Sequence, residues 1–445
     1  MTVTLDFCIR VGEVLLSCGA GAADVTATMG TLARHLGLRN PEIDVTFITV
    51  SMQYQENAED VPLIATRQVK SRAIDYDRLT RVDHLIRAVL RDDLGLKDAR
   101  SEVARIVSTG HARRRWAVTL AVAVMAAAVS VQLGGGVRVA VLALVSGGMI
   151  DRLQLLLSRR RIPVFYQQIV GAGVASVLAL GAAALPGNID VSSSITANII
   201  VLLAGIGFMG ALQDALTGFY ITAGARIIEA LLSTAGIIGG VSGGLMFAQA
   251  VGVGIPRISP GATTLQSVGL TVLGAAVGAA AFAYSSYAPR RILLPIAGVA
   301  ACALGIVEGF RGTAHAWPVA IAALFVGLVA YAIAARTRVP PLVVIVPAVV
   351  PMLPGLSIYR GLTLLTEQGN GNAANGLLAM FTAASVAVAL ASGVILGEYF
   401  AQPLGREARR FEGRLAGPRL VGPVRTRTRR ERRRRKAAAA RSSVE

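Results

Sequence analysis

Cysteine, histidine and tryptophan are nearly missing from these 445 residues. Cys8, Cys18 and Cys302 are too few and too scattered for a disulfide framework or a thiolate metal site. His35, His84, His111 and His315 show no metal-ligand spacing, so neither a metal nor any other cofactor is expected. Charge is scarce too. Only 16% of residues are charged, where an ordinary soluble chain has about 25%. The start of the chain lacks the look of a signal peptide, since it carries Asp6, Arg10 and Glu13.

What is abundant is apolar: 54% of residues, with a mean hydropathy of +0.60. Its distribution divides the chain into a cytosolic α+β domain (1–112), a first membrane half (113–258), a second membrane half (259–402) and a basic tail (403–445). From Arg406 onward the tail holds 14 Arg, one Lys and four Glu, which is +11 of the net +18. Such a run reads as a disordered, lipid-facing segment attracted to anionic headgroups. Phosphate contacts with nucleic acid are the other reading, and no aromatic residue beyond Phe411 is there to stack on bases.

In the first domain, 5–17 and 22–36 have helical periodicity. The run IDVTFITVSM (43–52) is β-branched and reads as one strand, with 67–73 as a candidate partner. Residues 77–90 and 97–108 read as helices, giving α-α-β-β-α-α. No catalytic constellation stands out. Ser17, Cys18 and His35 have nothing to fix their geometry. Asp75, Asp77 and Asp83 intermix with Arg72, Arg78 and Arg81, so they read as a solvated helix face. Cys8 and Cys18 read as small buried hydrophobes.

A membrane span needs roughly 20 apolar residues. Ten segments qualify: 116–133, 137–157, 164–185, 195–212, 219–241, 263–285, 292–307, 317–335, 342–365 and 375–399. With both termini in the cytosol, the inner flanks hold eleven arginines (113–115, 152, 159–161, 290, 291, 336, 338). The outer loops hold three (138, 257, 311), so the positive-inside rule fixes that orientation in a bacterial plasma membrane.

The most informative stretch is AGIGFMGALQDALTGFYITAGARIIEA (204–230). It places Asp214, Arg226 and Glu229 in an apolar, glycine-rich region. A carboxylate at membrane depth is costly, so it faces a partner or a watery cavity. The blander reading has Asp214 capping a helix end and Arg226 paired with Glu229 one turn on. The stretch 339–365, VPPLVVIVPAVVPMLPGLSIYRGLTLL, is its counterpart. Pro347, Pro351 and Pro354 each remove a backbone donor and free a carbonyl. Arg360 is the one cation of this stretch: either an anchor for a carboxylate or an arginine snorkelling to the interface. Ala204–Gly205 and Pro354–Gly355 sit at matching places in the fourth and ninth spans. About ten transmembrane helices thus fall into two five-helix inverted halves, a secondary-transporter architecture.

These residues resemble the bacterial threonine/serine exporter family. GAGAADVTATMGTLARHLGL (19–38) is similar to its early segment, and 204–230 to its first membrane signature. PRRILLPIAG (289–298) and ARTRVPPLVVIVPAVVPMLPGLSIYRGL (335–362) resemble its second half most specifically. Ala204 stands where the family pattern has proline, and Ala223–Gly224 where it has Ser-Gly. The resemblance implies a non-enzymatic exporter of small hydroxy-amino acids driven by the proton gradient. Some related members are linked to dicarboxylates, and a passive pore is the further alternative.

A zwitterion with a hydroxyl needs three kinds of partner. Backbone N–H groups at the breaks (Gly205, Pro354, Gly355) and Arg226 or Arg360 suit its carboxylate. Asp214 or Glu229 suits its ammonium, and Ser357, Thr217 and Thr222 suit its hydroxyl. Asp214 is the first candidate for proton carrier and Glu229 the second. Glu308, Glu367 and Glu398 lie near span ends, where an interfacial role is expected. The expected partners are a small amino acid, protons and membrane lipid, with oligomerisation left open.

Overall fold

The computed structural model describes residues 1–183 (save 58, 71 and 112), 195, 198, 202, 205–250, 268–310, 316–366 and 372–401. The basic tail, Glu367, His315, Arg257 and Arg311 lie outside the described residues. The chain divides into two units, one of 1–73 and 78–110 and one of 74–77 and 111–401.

The first unit is α+β. Helices α1 (Thr2–Ser17) and α2 (Ala22–His35) precede strands β1 (Glu42–Val45), β2 (Thr49–Tyr54) and β3 (Leu63–Gln68), and α4 (Leu96–Ser108) closes it. Helix α3 (Tyr76–Leu90) begins in the second unit and continues in the first. The sheet is an antiparallel meander, β1-β2-β3. The run 43–52 is therefore a hairpin: Ile43 pairs with Met52, and Thr46 N–H donates to Thr49 O at 2.9 Å. No glycine or proline marks that turn, so the β-branched run reads as one strand. The second strand's partner is likewise Leu63–Gln68, earlier than the sequence suggests. On β2, Val50, Met52 and Tyr54 face inward. They share the interior with Phe7, Leu16, Met29, Leu32, Leu79 and Ile86. Arg67 on β3 ties the sheet to α1 through Asp6 (2.9 Å) and Glu13 (3.3 Å).

The acidic residues between 75 and 83 depart from a solvated face. Asp83 is buried against Arg87 Nε at 2.7 Å. Burial pushes its carboxyl above the ordinary range, and Arg87 draws it partly back. Asp75 is buried too and meets His111 Nε2 at 3.1 Å within the second unit. Each of these two buried carboxylates has a nitrogen partner, Arg87 for Asp83 and His111 for Asp75. Among the described residues no acidic, histidine or cysteine cluster could hold a metal.

The second unit is an α-helical membrane protein. Its helices are α5 (Arg115–Gln132), α6 (Val137–Arg159), α7 (Val164–Ala183), α8 (Gly205–Leu216), α9 (Tyr220–Ala250), α10 (Val268–Ser285), α11 (Leu293–Gly309), α12 (Trp317–Thr337), α13 (Leu342–Val349), α14 (Gly355–Thr366) and α15 (Asn372–Ala401). Among the described residues eight helices are long and apolar enough to cross a membrane. A ninth span is made if the bent pair Leu342–Met352 and Gly355–Leu365, at 46°, is one crossing. Ten were expected. Residues 196, 197, 199–201, 203 and 204 of the fourth, 195–212, lie outside the described residues, and α8 alone is too short to cross.

The helices meet in a repeating pattern. Helix α5 packs on α6 and α6 on α7, as α10 packs on α11 and α11 on α12. Helix α7 packs on α9 and α8 on α9, as α12 packs on α15 and α14 on α15. Between the two sets, α5 meets α10, α8 meets α15 and α9 meets α14. The long contacts run along small residues. Gly236, Gly240 and Gly244 of α9 lie against the backbone of α7. Gly393 and Gly397 of α15 lie against α12, where Gly327 meets Gly397. In lipid, where burial of apolar surface gives helices no reason to associate, close backbone approach supplies the attraction.

Two outcomes follow. A Cβ on Gly240 would collide with the Ile169 carbonyl, whereas neighbouring Gly239 faces open space. Gly240→Ala should lower the melting temperature in detergent by overpacking, about 1–3 kcal/mol, while Gly239→Ala leaves it unchanged or raised. Burial pushes the Cys8 thiol up to about 12. In a C302S background, Cys8 should therefore resist alkylation at pH 8 until denaturant is added, as read by mass spectrometry.

Candidate functional site

Helix α8 ends in a turn that only glycine makes cheaply. Gly218 has φ +92°, Phe219 N–H donates to Asp214 O at 2.8 Å, and Gly218 N–H donates to Ala215 O at 3.1 Å. The Thr217 hydroxyl adds bonds to the Gln213 (2.9 Å) and Asp214 (3.1 Å) carbonyls. The chain is thereby turned straight back into α9, and the two helices pack side by side.

That reversal brings Asp214, near the end of α8, to Arg226, in the second turn of α9. Their side chains form an ion pair at 2.8 Å and are almost fully buried, 2% exposed for Asp214 and 10% for Arg226. Gly210, one turn before Asp214 on the same face, leaves the room the guanidinium occupies: a Cβ there would be 2.7 Å from Arg226 Nη1. Thr222 is buried one turn before Arg226 on the same face of α9. The pair crosses between helices, so Arg226 is not paired with Glu229, and the Asp214 side chain is not a simple cap. Glu229 is exposed on α9, turned away from the face that meets α8.

The second break is built from proline. Pro351 lies in a 3-10 turn (Val350–Met352), Leu353 is extended, and Pro354–Gly355 opens α14. Ser357 is half-buried and Arg360 exposed. Neither is joined to the Asp214–Arg226 pair by a hydrogen bond or ion pair among the described residues. Arg360 lies on α14. Gly205 begins α8, and Ala204 lies outside the described residues.

The second set of helices carries the same packing without the charges. Gly361 of α14 makes room for Met380 as Gly210 makes room for Arg226, and Leu365, one turn on, lies against Gly376. Where the four helices α8, α9, α14 and α15 converge, Phe208, Leu212, Ile227, Ala230, Ile358, Leu362, Ala383 and Ala387 form an apolar cluster.

Several polar contacts of the membrane unit escape a sequence reading. Asp151 accepts from Arg115 Nη2 and from the Thr119 hydroxyl, both at 2.7 Å, bridging α6 to α5. The Ser146 hydroxyl donates to Asn198 Oδ1 at 2.7 Å. Gln168 Nε2 donates to the Leu202 carbonyl at 3.3 Å, and Gln132 Nε2 to the Pro351 carbonyl at 2.9 Å. The signal available was a carboxylate or amide inside each apolar run, a costly placement without a partner.

Comparison with known proteins agrees with this architecture. A family described as "Putative threonine/serine exporter" matches residues 6–248. A second, described as "Threonine/Serine exporter, ThrE", matches 271–400. The chain is 35% identical over 438 residues to the "Probable threonine/serine exporter" of Mycobacterium tuberculosis, covering 94% of this chain and 82% of the relative. It is 32% identical over 415 residues to the "Threonine/serine exporter" of Corynebacterium glutamicum, covering 91% and 84%. No solved structure matches. With one family model spanning α1 to α9, another spanning α10 to α15, and two relatives aligned over nearly the whole chain, this protein belongs to the threonine/serine exporter family.

Proposed function

We propose that this protein is a multi-pass transporter of the bacterial plasma membrane that exports threonine, serine or a close hydroxy-amino acid in exchange for protons. The observation that carries the reading is the buried Asp214–Arg226 ion pair beside a helix break. A zwitterion is the one kind of small solute that can replace both partners of an ion pair at once. Its carboxylate takes the guanidinium and its ammonium takes the carboxylate, so no buried charge is stranded. Thr217 and Thr222 are the nearest candidates for its hydroxyl. A dicarboxylate would need two free cations, and Arg226 already has an acid while Arg360 lies exposed elsewhere. A passive pore is disfavoured by the apolar cluster packed where the four helices converge.

The coupling follows from competition. A proton on Asp214 removes the charge that holds the ammonium. On the acidic outer side, protonation of Asp214 would expel the amino acid; on the cytosolic side, loss of that proton would readmit it. Proton entry and amino-acid exit are then two halves of one cycle. Glu229, exposed on α9, is the second candidate for the proton.

The wider architecture is part of the proposal. Matching helix contacts, equal 12-residue half-helices α8 and α14, and separate family matches to 6–248 and 271–400 support inverted halves at 113–258 and 259–402. Rocking of one half against the other would alternate access. The arginine bias supports cytosolic placement of both termini, of the α+β domain 1–112 and of the tail 403–445, which would bind anionic lipid.

The deciding experiment is efflux of labelled threonine from loaded proteoliposomes, with and without an imposed proton gradient. The intact protein should show gradient-stimulated efflux. Asp214→Asn should lose that stimulation, and Glu229→Gln should keep it. Stimulated efflux untouched by Asp214→Asn would remove Asp214 from the coupling role; no threonine movement by intact protein would sink the substrate assignment. Gly210→Ala tests the geometry separately. Its Cβ displaces the guanidinium, so the rate should fall by about tenfold, the effect of about 1.4 kcal/mol.

A further inference from the structure

Helix α13 and its following 3-10 turn end at Leu353, whose backbone is extended at φ −64°, ψ 137°. In an unbroken helix the carbonyl of Pro351 would accept from the N–H four residues on. The extension carries that N–H away, so the break orphans the Pro351 carbonyl. Inside a bilayer an unmet carbonyl costs several kcal/mol and must find a partner. Its partner comes from the other set of helices: Gln132 Nε2, at the end of α5, donates to it at 2.9 Å.

Gln132 is itself held firmly. Just beyond it Gly134 takes a left-handed φ of +102°, and Gly135 N–H donates to the Ser130 carbonyl at 2.8 Å. Opposite it, Gly274 of α10 lacks the Cβ that would stand 2.8 Å from the Gln132 backbone nitrogen. A first-half side chain is thus seated in the second half, with its base fixed and its amide on a carbonyl that the break exposes.

We propose that Gln132 is a positioning residue that holds the second break in register and links the two halves through the Pro351 carbonyl. It rests on the reading of the protein as an alternating-access transporter. Gln132 touches the break and not the substrate. Its loss should therefore slow the conformational step while leaving substrate affinity nearly unchanged.

Two substitutions and two readouts test this. Gln132→Leu keeps the bulk and removes the donor; the maximal rate of gradient-driven threonine efflux should fall by about tenfold, with the half-saturating concentration little changed. Gln132→Glu keeps a donor only while protonated. Its rate, taken as a ratio to intact protein at each pH, should recover as pH falls, whereas the Gln132→Leu ratio stays flat. A merely structural amide would give no such difference. The second readout needs no transport. With a cysteine at Ser357 in a cysteine-free background, a water-soluble methanethiosulfonate reagent should label several-fold faster in Gln132→Leu than with Gln132 intact. Unchanged labelling, or a flat Gln132→Glu ratio, overturns the assignment even if threonine proves to be the wrong substrate. Should Gln132→Leu fail to fold, the Gln132→Glu profile still decides.

Discussion

A charge or a bare backbone group inside hydrocarbon has no water to fall back on, so each must be met by another part of the same chain. That constraint organises the membrane unit. Asp214 and Arg226 meet each other across a glycine turn. Asp151 is met by Arg115 and Thr119, Asn198 by Ser146, the Leu202 carbonyl by Gln168, and the Pro351 carbonyl by Gln132. These links join segments far apart in sequence, so the polar inventory of an apolar chain does much of the work of fixing its fold. Under the proposed alternating access some of these links would break, and a solute that substitutes for one side of a link would lower the cost of doing so.

The two sets of helices share a packing plan and differ in chemistry. Gly210 with Arg226 and Gly361 with Met380 occupy comparable places, yet only the first is ionic. Asp214 faces an arginine, whereas Leu365 faces Gly376. The first set carries the buried Asp214–Arg226 pair and the second the proline-built break. Doubling the ionic site would double the buried charge, and nothing in the packing requires it.

The long helices were legible because twenty-residue apolar runs have few other structures open to them. Asp214 and Arg226 stood out for the same reason, as charges in an apolar run. Their pairing was hidden, because a local rule joins Arg226 to Glu229 while the Gly218 turn joins it to a residue twelve positions earlier. The hairpin at 46–49 was hidden by β-branched residues that suit a strand as well as its turn. Gln132 was hidden because an amide's partner depends on tertiary approach, and its acceptor lies 219 positions away. Arg360, read as either a carboxylate anchor or a snorkelling arginine, is exposed.

Helices α9 and α15 have 31 and 30 residues. At 1.5 Å per residue each is about 45 Å long, against a hydrocarbon core of about 30 Å. Tilting alone would need an angle beyond the usual range of up to about 40°, so part of each helix must stand in the headgroup layer. The glycine ladders hold both helices at close backbone range against α7 and α12. The thickness of the host bilayer thereby bears directly on the two helices that pack against α8 and α14.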